Sequence, residues 1–355
     1  MVVARKKKKG GTSTNILVVL AILALLSVFT FRSELFSTKY NTMLSMNYSS
    51  SGDNNDNNSP ENGDSDNNGR CEFILDKFDK TFNDRRNARQ SRVLQGYQKL
   101  INPKKKQFWD LYESEATCFT EERFGKTSLL GNNRVRVAGY STLKRYDSYG
   151  DGPKFICGVD VITTAKAKTK TDDDACLVYS IGSNNNIDFE MSVSKFMNGC
   201  EIHTFDPTVR YNDFIGHNYS TYHEWGLGVD NTPMAFKQFK WTAKSFNTII
   251  KELNHVGRTI DVLKIDCEQC EWLTMPDLFR DIASTGLIVN QIQIEMHRSS
   301  KNVENITSFF ELVDKAKMRI FHKERNGWGC NGHMCIEYSF ISEDFLRKAN
   351  KAAIC

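Results

Sequence analysis

The chain has 355 residues, 40% of them hydrophobic and 25% charged, with a formal net charge of +4. That is the balance of an ordinary globular protein, with room for one large domain plus appendages or for two domains. Residues 1–70 hold 8 Lys/Arg against 6 Asp/Glu, which leaves 39 against 37 in residues 71–355. A body so near neutrality lacks the basic face that a duplex nucleic-acid binder needs, and no nucleic-acid partner is expected.

A basic cluster, Arg5 to Lys9, lies in a tail over residues 1–14, and a charge-free apolar run fills residues 15–31. About 17 residues at a rise of 1.5 Å span roughly 25 Å, enough for a slightly thin bilayer. The rival is a cleaved signal peptide, but Val28-Phe29-Thr30-Phe31-Arg32 lacks the small-residue cleavage pattern, which favours an uncleaved anchor. The positive-inside rule keeps Arg5 to Lys9 in the cytosol and sends the C-terminus across. The expected product is a single-pass type II membrane protein of the secretory pathway, placed in the Golgi, with a lumenal C-terminal domain. Asn47, Asn218 and Asn305 head glycosylation tripeptides, with Asn57 a weaker one because Pro60 follows. Ten cysteines suit several disulfides in an oxidising lumen, or buried thiols in the cytosol.

Residues 32–70 read as a disordered stem, since the Asn, Ser, Asp and Gly that dominate from 37 onward cannot bury enough apolar surface to order themselves. Residues 71–175 read as a helical and irregular cap, with helical spacing in Phe73, Ile74 and Phe78 and again in Val93, Leu94, Tyr97, Leu100 and Ile101. An α/β domain is expected over 176–341. Its apolar runs fall at 177–181, 200–205, 260–265 and 290–296, with helical segments between them and a hairpin from Gly327 to Ile341. Residues 342–355 are left as a C-terminal tail.

Leu177 to Asp206 is strand, tight loop, helix and strand with a terminal acid, the nucleotide-binding half of an open α/β sheet. Ligands of such sheets sit beyond the carboxyl ends of the strands. Those ends deliver Gly182 and Ser183, then Asp206, then Asp266 and Glu268, then Glu295 and His297. One acid at a strand end is commonplace; a glycine loop and three acid-bearing ends in one sheet mark an active cleft. For His297 the plain alternative is a strand-end cap, and for Glu295 a buried acid bonded to the backbone. Asp266, Glu268 and His297 could instead hold a divalent ion, although no single segment meets a metal-ligand spacing, and no metal is assigned. Cys267-Glu-Gln-Cys270 reads as a structural disulfide or packing ahead of a redox pair, and Cys330 with Cys335 could staple the hairpin.

The segments I-G-S-N-N-N-I-D-F-E, H-T-F-D-P-T, V-L-K-I-D-C-E-Q-C-E-W and I-Q-I-E-M-H resemble the motifs of eukaryotic methyltransferase-like membrane proteins. These are distant relatives of the FkbM-type S-adenosylmethionine-dependent methyltransferases. E-E-R-F-G (Glu121 to Gly125) and G-D-G-P-K-F-I-C (Gly150 to Cys157) extend the resemblance to residues 118–341. It implies a Rossmann-like, seven-stranded α/β methyltransferase fold with S-adenosylmethionine below the Gly182 loop. Gly182, Ser183 and Asn184 would lie against its methionine part, and Asp206 would bind the ribose hydroxyls. Asp266 and Glu268 would face the methyl group and acceptor, with His297 or Asp266 as base and Glu295 beside them. The departure is the loop itself, which carries Asn185 and Asn186 where further glycines are common; asparagine tolerates left-handed backbone better than most residues. The expected function is methyl transfer to a hydroxyl of a small-molecule or glycan acceptor by a membrane-anchored enzyme. A lumenal glycosyltransferase and a non-catalytic binding protein of the same fold are the alternatives.

Overall fold

The computed structural model describes residues 63–96, 106–125, 135–138, 154–167, 175–268, 270–297, 303–326 and 334–355. The basic tail, the expected anchor over 15–31 and residues 32–62 of the stem lie outside the described residues. Among the described residues, no helix is long and apolar enough to cross a membrane.

A long helix, α1 (Gly63–Leu94), and a single turn, α2 (Lys106–Trp109), precede an antiparallel sheet of β1 (Thr120–Phe124), β2 (Val135–Ala138) and β3 (Lys154–Cys157), with β1 in the middle. After α3 (Val159–Ala167) come β4 (Leu177–Ile181), α4 (Asp188–Phe196), β5 (Glu201–Phe205) and β6 (Thr221–His223). A small sheet follows from β7 (Gly226–Leu227), β8 (Pro233–Phe236) and β9 (Phe239–Lys244). The chain then runs through α5 (Phe246–Glu252), β10 (Val262–Ile265), α6 (Glu271–Ser284) and β11 (Gln291–His297). It ends with α7 (Val303–Lys315), β12 (Met318–Arg325), β13 (Cys335–Ser342) and α8 (Glu343–Ile354).

The central sheet has seven strands in the order β12-β13-β11-β10-β4-β5-β6. Six run the same way, and β13 alone opposes its neighbours β11 and β12. Strands covered on both faces read as continuous apolar runs, which is why the four expected runs became β4, β5, β10 and β11. Alternate residues feed opposite sides. Leu177, Tyr179, Leu263 and Ile265 join a core with Ile249 of α5, Phe279 of α6 and Phe310 of α7. Val178 and Val262 join a second core with Ile162 of α3, Val193 of α4 and Phe345 of α8.

Four expectations need correcting. The stem does not stay irregular to residue 70, because α1 starts at Gly63. Its composition alone cannot hold a helix, but tertiary anchors can: a Cys71–Cys355 disulfide, the pairs Glu72 makes with Arg347 and Lys351 (2.6 Å each), and Arg89 on Asp314 at 2.7 Å. The cap is not only helical and irregular, since it carries the β1–β3 sheet. That sheet docks on the polar face of β11, where the Gln291 amide both accepts from Cys157 N–H and donates to Cys157 O at 2.7 Å, and Gln293 donates to Phe155 O at 3.0 Å. The hairpin's outgoing strand is Met318–Arg325, upstream of Gly327. The C-terminal tail is a helix, capped by Ser342 Oγ and burying Phe345, Leu346 and Ala349.

The disulfide closes a loop of 284 residues onto the last residue of the chain, whereas the Arg347 and Lys351 ion pairs are largely solvated and individually weak. Cys71→Ser is expected to cost about 2–4 kcal/mol in denaturant unfolding. An unchanged midpoint would mean that the ion pairs alone hold α1 to α8.

Candidate active site

The end of β4 sets the geometry. Gly182 has φ +80°, and a Cβ built there would stand 1.6 Å from the main-chain oxygen of Asp266. No side chain can occupy that position, so the loop after β4 lies directly on the end of β10. Gly182 N–H donates to Phe205 O at 2.8 Å, and the Lys264 ammonium donates to Gly182 O. Asn184 and Asn185 take left-handed φ values of 45° and 61°, so of the two asparagines expected in place of glycine only Asn185 is left-handed, with Asn184 beside it. The Asn185 amide also bridges forward, accepting from Ile215 N–H and donating to Asp213 O, both at 3.0 Å.

Asp206, 3% exposed, clamps the same loop. Its Oδ2 accepts from Ser183 N–H (2.9 Å), Ser183 Oγ (3.3 Å) and Asn184 N–H (2.6 Å). Its Oδ1 accepts from Thr208 N–H (2.8 Å) and Thr208 Oγ1 (2.6 Å). A carboxylate offers about four lone-pair sites, so this one is filled by its own chain. Any ribose contact by Asp206 has to displace one of these donors. The residue's direct work is to shape the Ser183–Asn184 turn.

The ends of β10 and β11 bring the other expected residues together. His297 Nε2 lies 3.9 Å from Asp266 Oδ1 and 3.6 Å from Glu268 Oε2. On the far side of the ring, Nδ1 is 2.7 Å from Glu271 Oε1, an oxygen that also accepts the His297 main-chain N–H at 2.7 Å. Burial alone would lower the His297 pKa, but the Glu271 hydrogen bond and the charges of Glu271, Glu295 and Asp266 raise it to about 9. The ring is therefore an imidazolium at neutral pH, with Nε2–H turned toward two acids.

Glu295 sits one step back, accepting from the Asn326 amide at 2.8 Å. Burial, then the neighbouring charges of Glu337 and Asp266, push its carboxyl up to about 8. Lys154 of β3 pairs with Glu337 at 2.6 Å, so a buried ammonium from the cap enters the acidic zone. Burial works against that charge, and Glu337, Asp266 and Glu295 outweigh it, leaving the Lys154 pKa raised.

Sequence reasoning missed Glu271, the fully buried acid that orients His297. A glutamate in the first helical turn reads as a favourable dipole partner; only the fold brings it to His297. Cys267 and Cys270 form a disulfide, and Cys335 is also disulfide-bonded, so neither the Cys267–Cys270–Glu271 group nor the Glu295–His297–Cys335 group has a thiolate for a metal. Cys330 lies outside the described residues.

The site suits S-adenosylmethionine on two counts. The turn from Gly182 to Asn184, pressed onto the Asp266 carbonyl and held by Asp206, forms a shelf at the carboxyl end of β4, where ligands of such sheets bind. Asp266, Glu268 and Glu271 around a single imidazolium leave a surplus of negative charge, which complements a cationic sulfonium and ammonium.

The family described as "Methyltransferase domain" matches residues 29–342. Human "Probable methyltransferase-like protein 24" is 26% identical over 163 residues, 42% of this chain and 43% of the relative. The rat protein of that name is 27% identical over 204 residues, 54% of this chain and 52% of the relative. The chain thus spans about half the length of the curated relatives it matches. Among solved structures, a Bacillus cereus O-methyltransferase in complex with SAH is 12% identical, covering 52% of this chain and 81% of its own with a TM-score of 0.31. The Methanococcus jannaschii fibrillarin pre-rRNA processing protein is 13% identical, covering 60% and 92% with a TM-score of 0.30. Superpositions that loose have no bearing on substrate, but the family match runs over most of the chain. The protein therefore belongs to this methyltransferase-like family and carries an S-adenosylmethionine-dependent methyltransferase domain.

Proposed function

We propose that the whole protein is a membrane-anchored methyltransferase of the secretory lumen that methylates a hydroxyl of a small-molecule or glycan acceptor. The observation that carries the reading is the convergence of the Gly182 shelf with Asp266, Glu268 and the Glu271-oriented His297. The residues 15–31 anchor, the Golgi placement and the lumenal orientation belong to the same proposal. Four disulfides, and no free cysteine among the described residues, support an oxidising compartment. Asn218 is exposed, as a glycosylated side chain must be. Glycan occupancy there, read as a mass shift removed by a glycosidase, tests the orientation, and a cytosolic Asn218 would overturn it.

When bound, S-adenosylmethionine supplies an electrophilic methyl group on a cationic sulfur. Gly182, Ser183 and Asn184 would line its methionine part, and Asp206 holds that turn in place. Direct displacement needs alignment above all, which a rigid cleft supplies. Asp266 accepts the proton that the acceptor hydroxyl loses as its oxygen gains the methyl group. His297, already protonated, is no base in the free protein; its Nε2–H keeps Asp266 and Glu268 facing the acceptor. Glu295 and the Lys154–Glu337 pair balance charge behind them.

Calorimetric titration of the purified protein with S-adenosylmethionine is expected to give one site per chain. Asp206→Ala should weaken that binding at least tenfold by releasing the loop. Asp266→Asn should leave it within a few-fold and lower kcat by about 10²–10⁴, the usual contribution of a general base. A demonstrably folded protein that does not bind the cofactor would sink the proposal.

The imidazole titrates above its unfolded value of about 6.5, so its contribution to stability is complete below that pH and is lost as pH rises through about 9. Glu271→Gln should lower the His297 pKa by roughly 1–3 units, the effect of removing a contacting opposite charge. It should also flatten the loss of stability between pH 7 and 9. An NMR titration of the histidine ring protons, with melts across the same range, reads both; an unmoved pKa refutes the dyad.

A further inference from the structure

A second polar cluster lies at the amino-terminal end of β5, away from the Gly182 shelf. Glu201 Oε1 stands 2.8 Å from His203 Nε2 and 3.2 Å from His255 Nε2. These three atoms all lie within 4.8 Å of one another. Ligands bonded at about 2.0–2.1 Å to one tetrahedral zinc sit roughly 3.3 Å apart, close to the two Glu201–imidazole distances. His203 and His255 are 5% and 6% exposed.

The surroundings are those that metal-bound imidazoles need, a fixed partner on the other ring nitrogen. His203 Nδ1 is 2.9 Å from His223 Nε2, and His255 Nδ1 is 2.6 Å from the Tyr179 hydroxyl. An imidazole and a phenol can each accept as well as donate, so both Nδ1–H groups have acceptors when the Nε2 atoms bind a cation. Arg258 Nη1 holds the other Glu201 oxygen at 2.6 Å and its Nη2 donates to Ala175 O at 3.2 Å, leaving Oε1 alone facing the rings. The Cys176–Cys200 disulfide fixes the adjoining ends of β4 and β5.

Glu201 lines an open crevice of about 710 Å³ with Tyr211, Asn212, His217 and Tyr219, so the carboxylate edge of the cluster borders solvent.

We propose that Glu201, His203 and His255 form a divalent transition-metal site of the zinc class, two imidazoles and one carboxylate with water in the fourth position. It is separate from methyl transfer and ties β5 to the connection between α5 and β10. Without metal the same contacts close as a proton network: Tyr179 O–H to His255, His223 N–H to His203, and both Nε2–H groups to Glu201. The test distinguishes the two.

Untagged full-length protein, stripped with chelator and dialysed, is titrated with Zn²⁺ by calorimetry and with Co²⁺ by visible absorption. The expected result is one equivalent bound with micromolar or tighter affinity, an intense tetrahedral cobalt band, and a zinc-dependent rise in Tm. His255→Gln should weaken zinc binding at least 100-fold. Tyr179→Phe, which keeps the packing and removes only the outer partner, should weaken it roughly 10-fold. S-adenosylmethionine titration of each variant reports that the domain is folded. Absence of a stoichiometric zinc site in the wild type overturns the proposal in favour of the proton network. Zinc binding unchanged in folded His255→Gln overturns it by placing the metal elsewhere.

Discussion

The contact between Gly182 and the carbonyl of Asp266 is the constraint on which the rest of the site depends. A methyl group at residue 182 would overlap that oxygen, so β4 and β10 can end side by side only because residue 182 has no side chain. The approach then fixes everything nearby. Lys264 covers the Gly182 carbonyl, Asp266 N–H closes on Ile181 O at 2.8 Å, and the following turn carries Glu268 at a left-handed φ of 53°. Asp206 reaches across from β5 to hold the other side of the loop through five donors. Three strand ends are thereby locked into one rim, and the acids they carry have no freedom to drift apart.

Charge is the second organising term. Asp266, Glu268, Glu271, Glu295 and Glu337 gather around one end of the sheet, against the cations His297 and Lys154. Such a cluster is costly to bury without partners. It relieves the cost by keeping Glu295 and His297 protonated and by drawing Lys154 in from the cap. The cap is therefore part of the site's electrostatics, and the glutamine contacts between β11 and β3 keep that ammonium in register.

Much of this was legible in the chain, and what was not has a physical cause. Parallel strands buried on both faces announce themselves as apolar runs, and the acids at their carboxyl ends stand out against them, hence Gly182, Asp206, Asp266, Glu295 and His297. β1 is Thr-Glu-Glu-Arg-Phe, with Glu122 fully buried, and no hydrophobic pattern marks such a strand. The first turns of α1 are too polar to suggest order, because their anchors come from the far end of the chain. The last helix did leave a trace, since Ser342, Glu343 and Asp344 ahead of Phe345, Leu346 and Ala349 form a start signal for a short amphipathic helix. Glu271 left none, because its meaning depends on where His297 ends up.

The asparagines of the loop show how one pattern supports two readings. Judged against glycine-rich turns, Asn185 and Asn186 look like weaknesses. In place, the left-handed residues are Asn184 and Asn185, and the Asn185 amide ties the loop to residues 213 and 215, a contact no glycine could make. A glycine-rich loop gains close approach to a ligand at the expense of rigidity. Here glycine is kept at the one position that demands it, Gly182 against the Asp266 carbonyl, and the neighbouring residues stiffen the turn. The shelf is thus preorganised by side chains that also connect it to the region after β5, so whatever binds there meets a surface whose shape is largely set beforehand.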